Sequence, residues 1–391
     1  VSLQRKTILY AWELGEGLGH LPVLKAFAEG LKGDGVLARF VLRETKSASH
    51  VLASTGGTIH SAPHWAKPAL PEKRSRSLTD VMAANGYTQA DHAAALIAAW
   101  DRVIDAIKPD LIVCDHAPSA CLSAYGRVPV AIVGNGFAVT PTDSDWFPEF
   151  APGEGKPEHQ SYVFDAIQGA FKALGRPPLP SITAPFRGVF RGIYTFPVLD
   201  TYRAVRREPL LGPIEAQPAL TPLPAKRRIF IYSAADFARI DALTHCIMDL
   251  GAEASVYMRG NVGPRAHILR SRGVEVFDTP PKLADILPQV SVVFSHAGPG
   301  FTNAALTGGR PHIMFPRHFE SHAAALGLVD LGCGIRLDEL KPDTFRAAFE
   351  RASTDAAMQA AAQKAGAEAQ AFMREARALE VSLDAIRRLL A

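Results

Sequence analysis

The 391-residue sequence is short of cysteine, of net charge and of long apolar runs, and each shortage removes a class of protein. Its four cysteines, Cys114, Cys121, Cys246 and Cys333, form no C-x-x-C pair. Such scatter suits neither a disulfide framework nor a zinc site, and two of the four stand in apolar runs that read as core. The formal net charge is only +3. The basic runs Lys73-Arg-Ser-Arg76 and Lys226-Arg-Arg228 lack interleaved aromatics, so they read as solvated loops and nucleic acid is not indicated as a partner. No eighteen-residue apolar stretch occurs, so no transmembrane segment is expected. The chain passes from Val1-Ser-Leu-Gln-Arg-Lys6 straight into a strand without a signal-like apolar region, and the expected location is the cytoplasm.

What remains is ordinary globular usage, with 48% hydrophobic and 21% charged residues. The length exceeds what one core usually serves, so two domains are expected. The first, residues 1–211, opens with a strand at Thr7–Trp12. A glycine-rich loop follows from Glu13 to His20, then a helix over Leu21–Leu31 and a second strand at Ala38–Leu42. This is a βαβ unit whose loop lies at the carboxyl ends of the strands, where such sheets bind ligands. A helix over Ala90–Ile107 ends before Pro109. Strands at Asp110–Cys114 and Val128–Val133 flank a helix over Pro118–Tyr125. Proline, glycine and aromatics gather between Pro141 and Pro178. A second proline-rich stretch marks a linker over residues 212–226, and the α/β pattern restarts over residues 227–375. The Ala-rich end, Thr354–Leu390, reads as helix interrupted at Gly366, with residues 376–391 able to cross back to the first domain. The fold class is therefore α/β, two Rossmann-like domains.

One stretch, Val290–Pro316, organises the second domain: a strand, the turn Ser295-His-Ala-Gly-Pro-Gly-Phe-Thr302, a helix ended by Gly308-Gly309, and a further strand. Gly298 and Gly300 let the backbone pass close to a ligand, Thr302 can cap or donate, and the helix presents free N–H groups with a positive dipole end. A phosphate or diphosphate suits that place. In the first domain the loop glycines run G-x-G-x-G at 15, 17 and 19, which is not a dinucleotide fingerprint. Its informative residue is His20, placed to take a proton from a substrate hydroxyl or simply to cap its helix. Asp115 ends the next strand of the sheet and can orient His20, or cap the helix near Pro118. His116 has no claim beyond surface exposure.

These residues resemble those of a known family. His296-Ala-Gly-Pro-Gly-Phe-Thr302 with Gly309-Arg-Pro311, Pro316 and Glu320 is similar to the donor motif of nucleotide-sugar-dependent glycosyltransferases of the GT-B fold. Gly19-His-Leu-Pro22 resembles that family's acceptor-side histidine motif, and Pro109–Asp115 its strand bearing the partner aspartate. Order and spacing agree along nearly the whole chain. The resemblance implies two domains facing across a cleft, with the donor on the C-terminal one and the acceptor on the N-terminal one. It implies that His296 and the backbone at Gly298, Gly300 and Thr302 hold the diphosphate and that Glu320 binds the ribose or the sugar. It further implies that Ser233 touches a phosphate and that the segment around Pro280 lies against the base. The chain departs from the pattern at Pro299, where a small residue is usual, at Ser321, where glutamine is common, and in lacking the tryptophan of the plant enzymes' donor loop.

The implied reaction is inverting transfer of a hexose-type sugar from a UDP- or dTDP-sugar to an acceptor hydroxyl, with His20 as general base and Asp115 as its partner. Apart from that co-substrate no cofactor is expected. Asp143-Ser-Asp145 matches a D-x-D metal motif, yet three-residue patterns recur by chance, and no metal is expected. Gly19, Trp65, Asn135, Phe137 and Trp146, with His64, Phe147 and Phe150, are the candidate acceptor wall, and a small molecule, lipid or glycan would suit it. Two rivals share the architecture: a nucleotide-sugar epimerase, for which Glu13 and Glu16 could serve as carboxylates, and a catalytically silent nucleotide-sugar-binding protein. A dehydrogenase is disfavoured by the spacing of Gly15 to Gly19.

Overall fold

A computed structural model of the chain describes residues 5–15, 19–65, 77–150, 160–317 and 319–391. Glu16, Gly17 and the basic run at 73–76 lie outside the described residues. By contacts the chain divides into two units. The first runs to Thr195 and takes in Tyr202–Glu215 and Ala376–Ala391; the second comprises Phe196–Thr201 and Ala216–Glu375.

The first unit is built on six strands, β1 (Thr7–Trp12), β2 (Leu37–Leu42), β3 (Thr58–Ser61), β4 (Leu111–Asp115), β5 (Val130–Gly134) and β6 (Phe190–Ile193). They form one parallel sheet in the order β3-β2-β1-β4-β5-β6. The central β4 and β5 are buried along their whole length, which is why they read as unbroken apolar runs rather than alternating ones. The edge strand β3, Thr-Ile-His-Ser, is mostly exposed and carries no such signal. Helices cover both faces. Ala90–Ile107 turns Ala93, Leu96, Ile97, Trp100 and Ile104 inward at helical spacing and stops at Lys108, whose φ of 50° precedes Pro109. A helix over Ser161–Ala173 lies inside the proline-rich region, where composition alone suggests loop.

The opposite face is covered by Leu21–Gly30 and by the last helix, Ala378–Leu390. Leu383 fits against Gly30, where an added Cβ would come within 2.5 Å of it. Ile386 is fully buried, Ser382 hydrogen-bonds Tyr194 at 2.8 Å, and Arg387 pairs with Asp34 at 2.9 Å.

The second unit repeats the plan with β7 (Ile229–Ala234), β8 (Ala254–Arg259), β9 (Glu275–Phe277), β10 (Val292–Ser295), β11 (His312–Met314) and β12 (Gly334–Arg336). The order β12-β11-β10-β7-β8-β9 is again parallel, with the first strand beside the fourth. The Ala-rich end is three helices, Pro342–Thr354, Ala356–Ala376 and Ala378–Leu390. Gly366 does not interrupt the second, contrary to the expectation. It sits inside the helix because Leu220, the Gly309 backbone and the Leu306 carbonyl approach to within about 3 Å of where a Cβ would stand. The break falls instead at Arg377, whose φ is +47°.

Candidate active site

In both sheets chain order reverses between the first strand and the fourth, and the carboxyl ends of that pair open the crevice in which such sheets hold ligands. The first unit places His20 just beyond β1 and Asp115 at the end of β4. Residues 95 positions apart thus meet, with His20 Nδ1 2.9 Å from Asp115 Oδ1. Asp115 is buried and the His20 side chain is 15% exposed. With Nδ1–H donated to the carboxylate, Nε2 keeps its lone pair. Trp12 stacks on the imidazole at 5.2 Å. His20 opens the helix Leu21–Gly30 but makes no capping hydrogen bond with its side chain. Two glycines make room for the pair. An added Cβ at Gly15, where φ is +95°, would lie 2.6 Å from His20 Nε2, and one at Gly134 would lie 2.9 Å from Asp115 Oδ1. Gly19 has open space where its Cβ would be.

Asp115 does not cap the helix Pro118–Ala124, whose N-cap is Ala117. Glu13 takes that role from the neighbouring loop. Its carboxylate accepts the Ser119 N–H at 2.8 Å and the Ser119 hydroxyl, which in turn meets Tyr87 Oη. Burial raises its pKa to about 7, against the lowering effect of those bonds. A carboxylate so enclosed is not offered to a sugar, which removes one of the two groups the epimerase reading needs.

His116 differs from expectation as well. It is buried, and its φ of +49° puts a left-handed backbone turn directly after Asp115. Its ring lies 6.0 Å from His20, and its Nε2 has no partner among the described residues. Burial foremost, then the charges of His20 and Arg43, lowers its pKa to about 3, so it stays neutral.

From His116 a row of rings continues through Phe137 at 5.7 Å and Phe150 at a further 4.8 Å to Tyr202 at 5.9 Å. Of the acceptor candidates Phe137 is therefore joined to the histidine pair. Asn135 shapes the turn beneath it, its Oδ1 accepting from the N–H of Phe137 and Ala138. Trp65 stacks on His92 at 4.1 Å, Trp146 packs edge-on to Phe164, and Phe147 is buried in the core. These three serve the domain core, as apolar loop residues commonly do. Asp143 and Asp145 are exposed, and Asp145 pairs weakly with Arg187. Among the described residues no group of three or more His, Cys, Asp or Glu is arranged to hold a metal.

The second unit builds its cradle at the equivalent crevice. Ser233 near the end of β7 hydrogen-bonds His296 Nε2 at 2.8 Å, and His296 Nδ1 lies 3.0 Å from the Phe315 carbonyl. Both ring nitrogens are thus engaged, so the imidazole braces the turn rather than presenting a free nitrogen. Ala297 follows with φ +55°, a strained conformation for alanine. It is held there by its N–H donating to Ser295 Oγ at 3.0 Å, while that hydroxyl bonds His312 Nε2 at 2.9 Å. His312 is buried, which lowers its pKa to about 3 and keeps the ring neutral.

Gly298 is the N-cap of the helix Pro299–Thr307. Pro299 occupies N1, where a missing N–H costs nothing and the ring's φ is already helical, so this departure from the family pattern suits the helix start. Added Cβ atoms at Gly298 and Gly300 would meet nothing within 4 Å, so the approach to the turn is open. Thr302 is fully buried and its N–H is spent on the Gly298 carbonyl, which leaves Gly300 and Phe301 as the first-turn donors. Ser321 is also occupied, its Oγ accepting the Arg317 N–H at 3.1 Å. Glu320 is half-buried in the first turn of Phe319–Asp330, and Pro280 is exposed beyond β9.

Comparison with known proteins gives this geometry a context. Residues 249–379 match the erythromycin biosynthesis protein CIII-like C-terminal domain. The calicheamicin glycosyltransferase CalG4 superposes with a TM-score of 0.73 over 99% of each chain at 18% identity. The Streptomyces sp. SF2575 glycosyltransferase SsfS6, complexed with thymidine diphosphate, gives 0.60 over 96% of this chain and 99% of its own at 16% identity. The spinosyn rhamnosyltransferase SpnG, complexed with spinosyn aglycone, gives the same score, coverage and identity. No curated protein sequence matches. The chain has the GT-B fold of these glycosyltransferases. No helix of this GT-B protein, among the described residues, is long and apolar enough to cross a membrane.

Two groups in it were missed by sequence reasoning. Ser295 and His312 stand in the organising stretch but were given no role, and the only trace of their bond is a histidine in an otherwise apolar strand. Arg239 and Arg317 stand in loops at the carboxyl edge of the second sheet and read as ordinary surface residues.

Proposed function

We propose that this chain transfers a hexose-type sugar from a nucleoside-diphosphate donor to an acceptor hydroxyl, with inversion at the anomeric carbon. The observation that carries the reading is the His20–Asp115 pair, set at the crevice of one sheet while a glycine-lined helix N-terminus occupies the crevice of the other. Asp115 holds the tautomer in which Nε2 is basic. His20 takes the acceptor proton as the hydroxyl attacks, and Asp115 stabilises the imidazolium. The departing diphosphate gains charge as its bond to the sugar breaks, and the Gly300 and Phe301 N–H groups with the helix dipole are aimed at that charge. Because base and cradle belong to different units, transfer requires a state in which the two meet.

Thymidine diphosphate bound to SsfS6 makes dTDP the first nucleotide to test here, with UDP beside it. The aglycone bound to SpnG, together with the part-exposed Phe137 ring beside the histidine pair, favours an apolar acceptor bearing a hydroxyl. In the test, His20→Ala is assayed for transfer from a panel of dTDP- and UDP-sugars while nucleotide affinity is measured by calorimetry. Transfer should fall by about 10²–10⁴-fold with affinity unchanged. Transfer at the parent rate would remove His20 as the base. Binding of nucleotide without turnover on any acceptor would favour a silent binding protein.

A further inference from the structure

The geometry points to Arg239 and Arg317 as an arginine clamp that neutralises the diphosphate of a nucleoside-diphosphate ligand, and this inference rests on the donor-site reading above. The two residues stand on loops at either side of the strand that leads into the cradle. Strand order places β10, which leads into His296, between β7 and β11, and the loops after those outer strands carry the arginines. Each guanidinium lies over an aromatic ring from the other's loop. Arg239 lies over Phe315 at 5.5 Å, and Arg317 over Phe237 at 5.3 Å. The two rings meet each other edge-on at 5.9 Å, and Phe237 is 4.4 Å from the His296 ring. The exchange fixes both cations around the histidine turn rather than leaving them on free stems.

Neither guanidinium has a carboxylate partner among the described residues, in a chain whose other arginines are largely paired. Both are exposed, so their donors are available. A guanidinium held over a ring by a cation–π contact still has N–H groups to donate, and its planar fork takes phosphate oxygens two at a time. A diphosphate linked at both ends carries two negative charges, which two arginines balance. The nucleoside diphosphate released by transfer carries more charge than the donor, so the clamp also favours the leaving group over the substrate. The two arginines would supply the charge a divalent ion provides in metal-dependent sites.

The experiment is calorimetric titration of wild type, Arg239→Gln, Arg317→Gln and the double variant with dTDP, UDP and thymidine, at low and moderate salt, with the melting temperature of each ligand-free protein recorded. Each single variant should lose about tenfold or more in affinity for the nucleoside diphosphate and nothing for thymidine. The double variant should lose most of the salt dependence. Arg239→Lys, which keeps the charge, should retain part of the affinity. If wild type binds dTDP or UDP and the glutamine variants bind it within twofold as well, the clamp is wrong while the donor site stands. If the variants lose thymidine in proportion, the arginines shape the site without meeting phosphate, and the clamp is again wrong. If wild type binds neither nucleoside diphosphate, the donor-site reading fails and the clamp falls with it.

Discussion

The chemistry proposed for the first unit depends on two side chains and on the absence of two others. In that proposal His20 and Asp115 form the proton relay, and the ring can stand where it does only because Gly15 has no side chain. Gly15→Ala would put a methyl carbon 2.6 Å from Nε2 at a backbone angle of +95° that alanine rarely adopts. The variant should therefore lose transfer by a factor comparable to His20→Ala, about 10²–10⁴, while dTDP affinity in the other unit is unchanged. Parent-level transfer would show that the ring has space the geometry denies it. At this scale His20 and Asp115 were legible, because a histidine opening a helix and an acid ending a strand are positions with known chemistry. His116 was not. Its burial comes with a left-handed turn that no neighbouring glycine announces. The roles of Ser295 and His312 depend on a register between β10 and β11 that appears only once the sheet is assembled.

At the scale of elements, long buried segments were readable and most short edge segments were not. The helix Ala90–Ile107 declares both its ends through periodicity and Pro109, whereas β3, β6 and β12 have three or four residues each and little apolar pattern. Function here rests on how two elements are joined at their ends. Glu13, leaving β1, caps the helix that follows β4 and so ties the His20 loop to the Asp115 strand. Its burial has a measurable cost. The unfolded carboxyl titrates near 4.5 and the folded one near 7. Below pH 4.5 both states hold the proton, between 4.5 and 7 only the folded state does, and above 7 neither does. Stability should therefore fall as pH rises through that window, by about 3 kcal/mol in all. Glu13→Gln removes the titration. The stability difference between variant and wild type, from urea unfolding, should shift in the variant's favour by about that amount from pH 4.5 to pH 8. An equal difference at both pH values would mean the folded chain holds the ionised carboxylate without penalty.

For the molecule as a whole, the same strand order built twice sets the His20–Asp115 pair at one crevice and a glycine-lined helix start at the other. That division was legible because each unit opens with a strand, a turn and a helix, and because the motif residues fall at equivalent ends. The last helix, in the stretch read as able to cross back, packs on the first sheet through Leu383, Ile386 and Ser382; less visible was that Phe196–Thr201 joins the second unit. These contacts allow the two units to be perturbed separately. Ile386 is fully buried among Phe27, Leu31 and Tyr194 of the first unit's cluster, so Ile386→Ala should cost that unit about 3 kcal/mol through lost burial and a residual cavity. Nucleotide, by contrast, should stabilise only the second unit, by mass action. Scanning calorimetry with and without dTDP separates the two effects. The variant should lower the transition that dTDP leaves unmoved and spare the one that dTDP raises. A fall in the ligand-raised transition alone would assign the last helix to the stability of the donor unit, and its packing on the first sheet would then not be what holds that unit together.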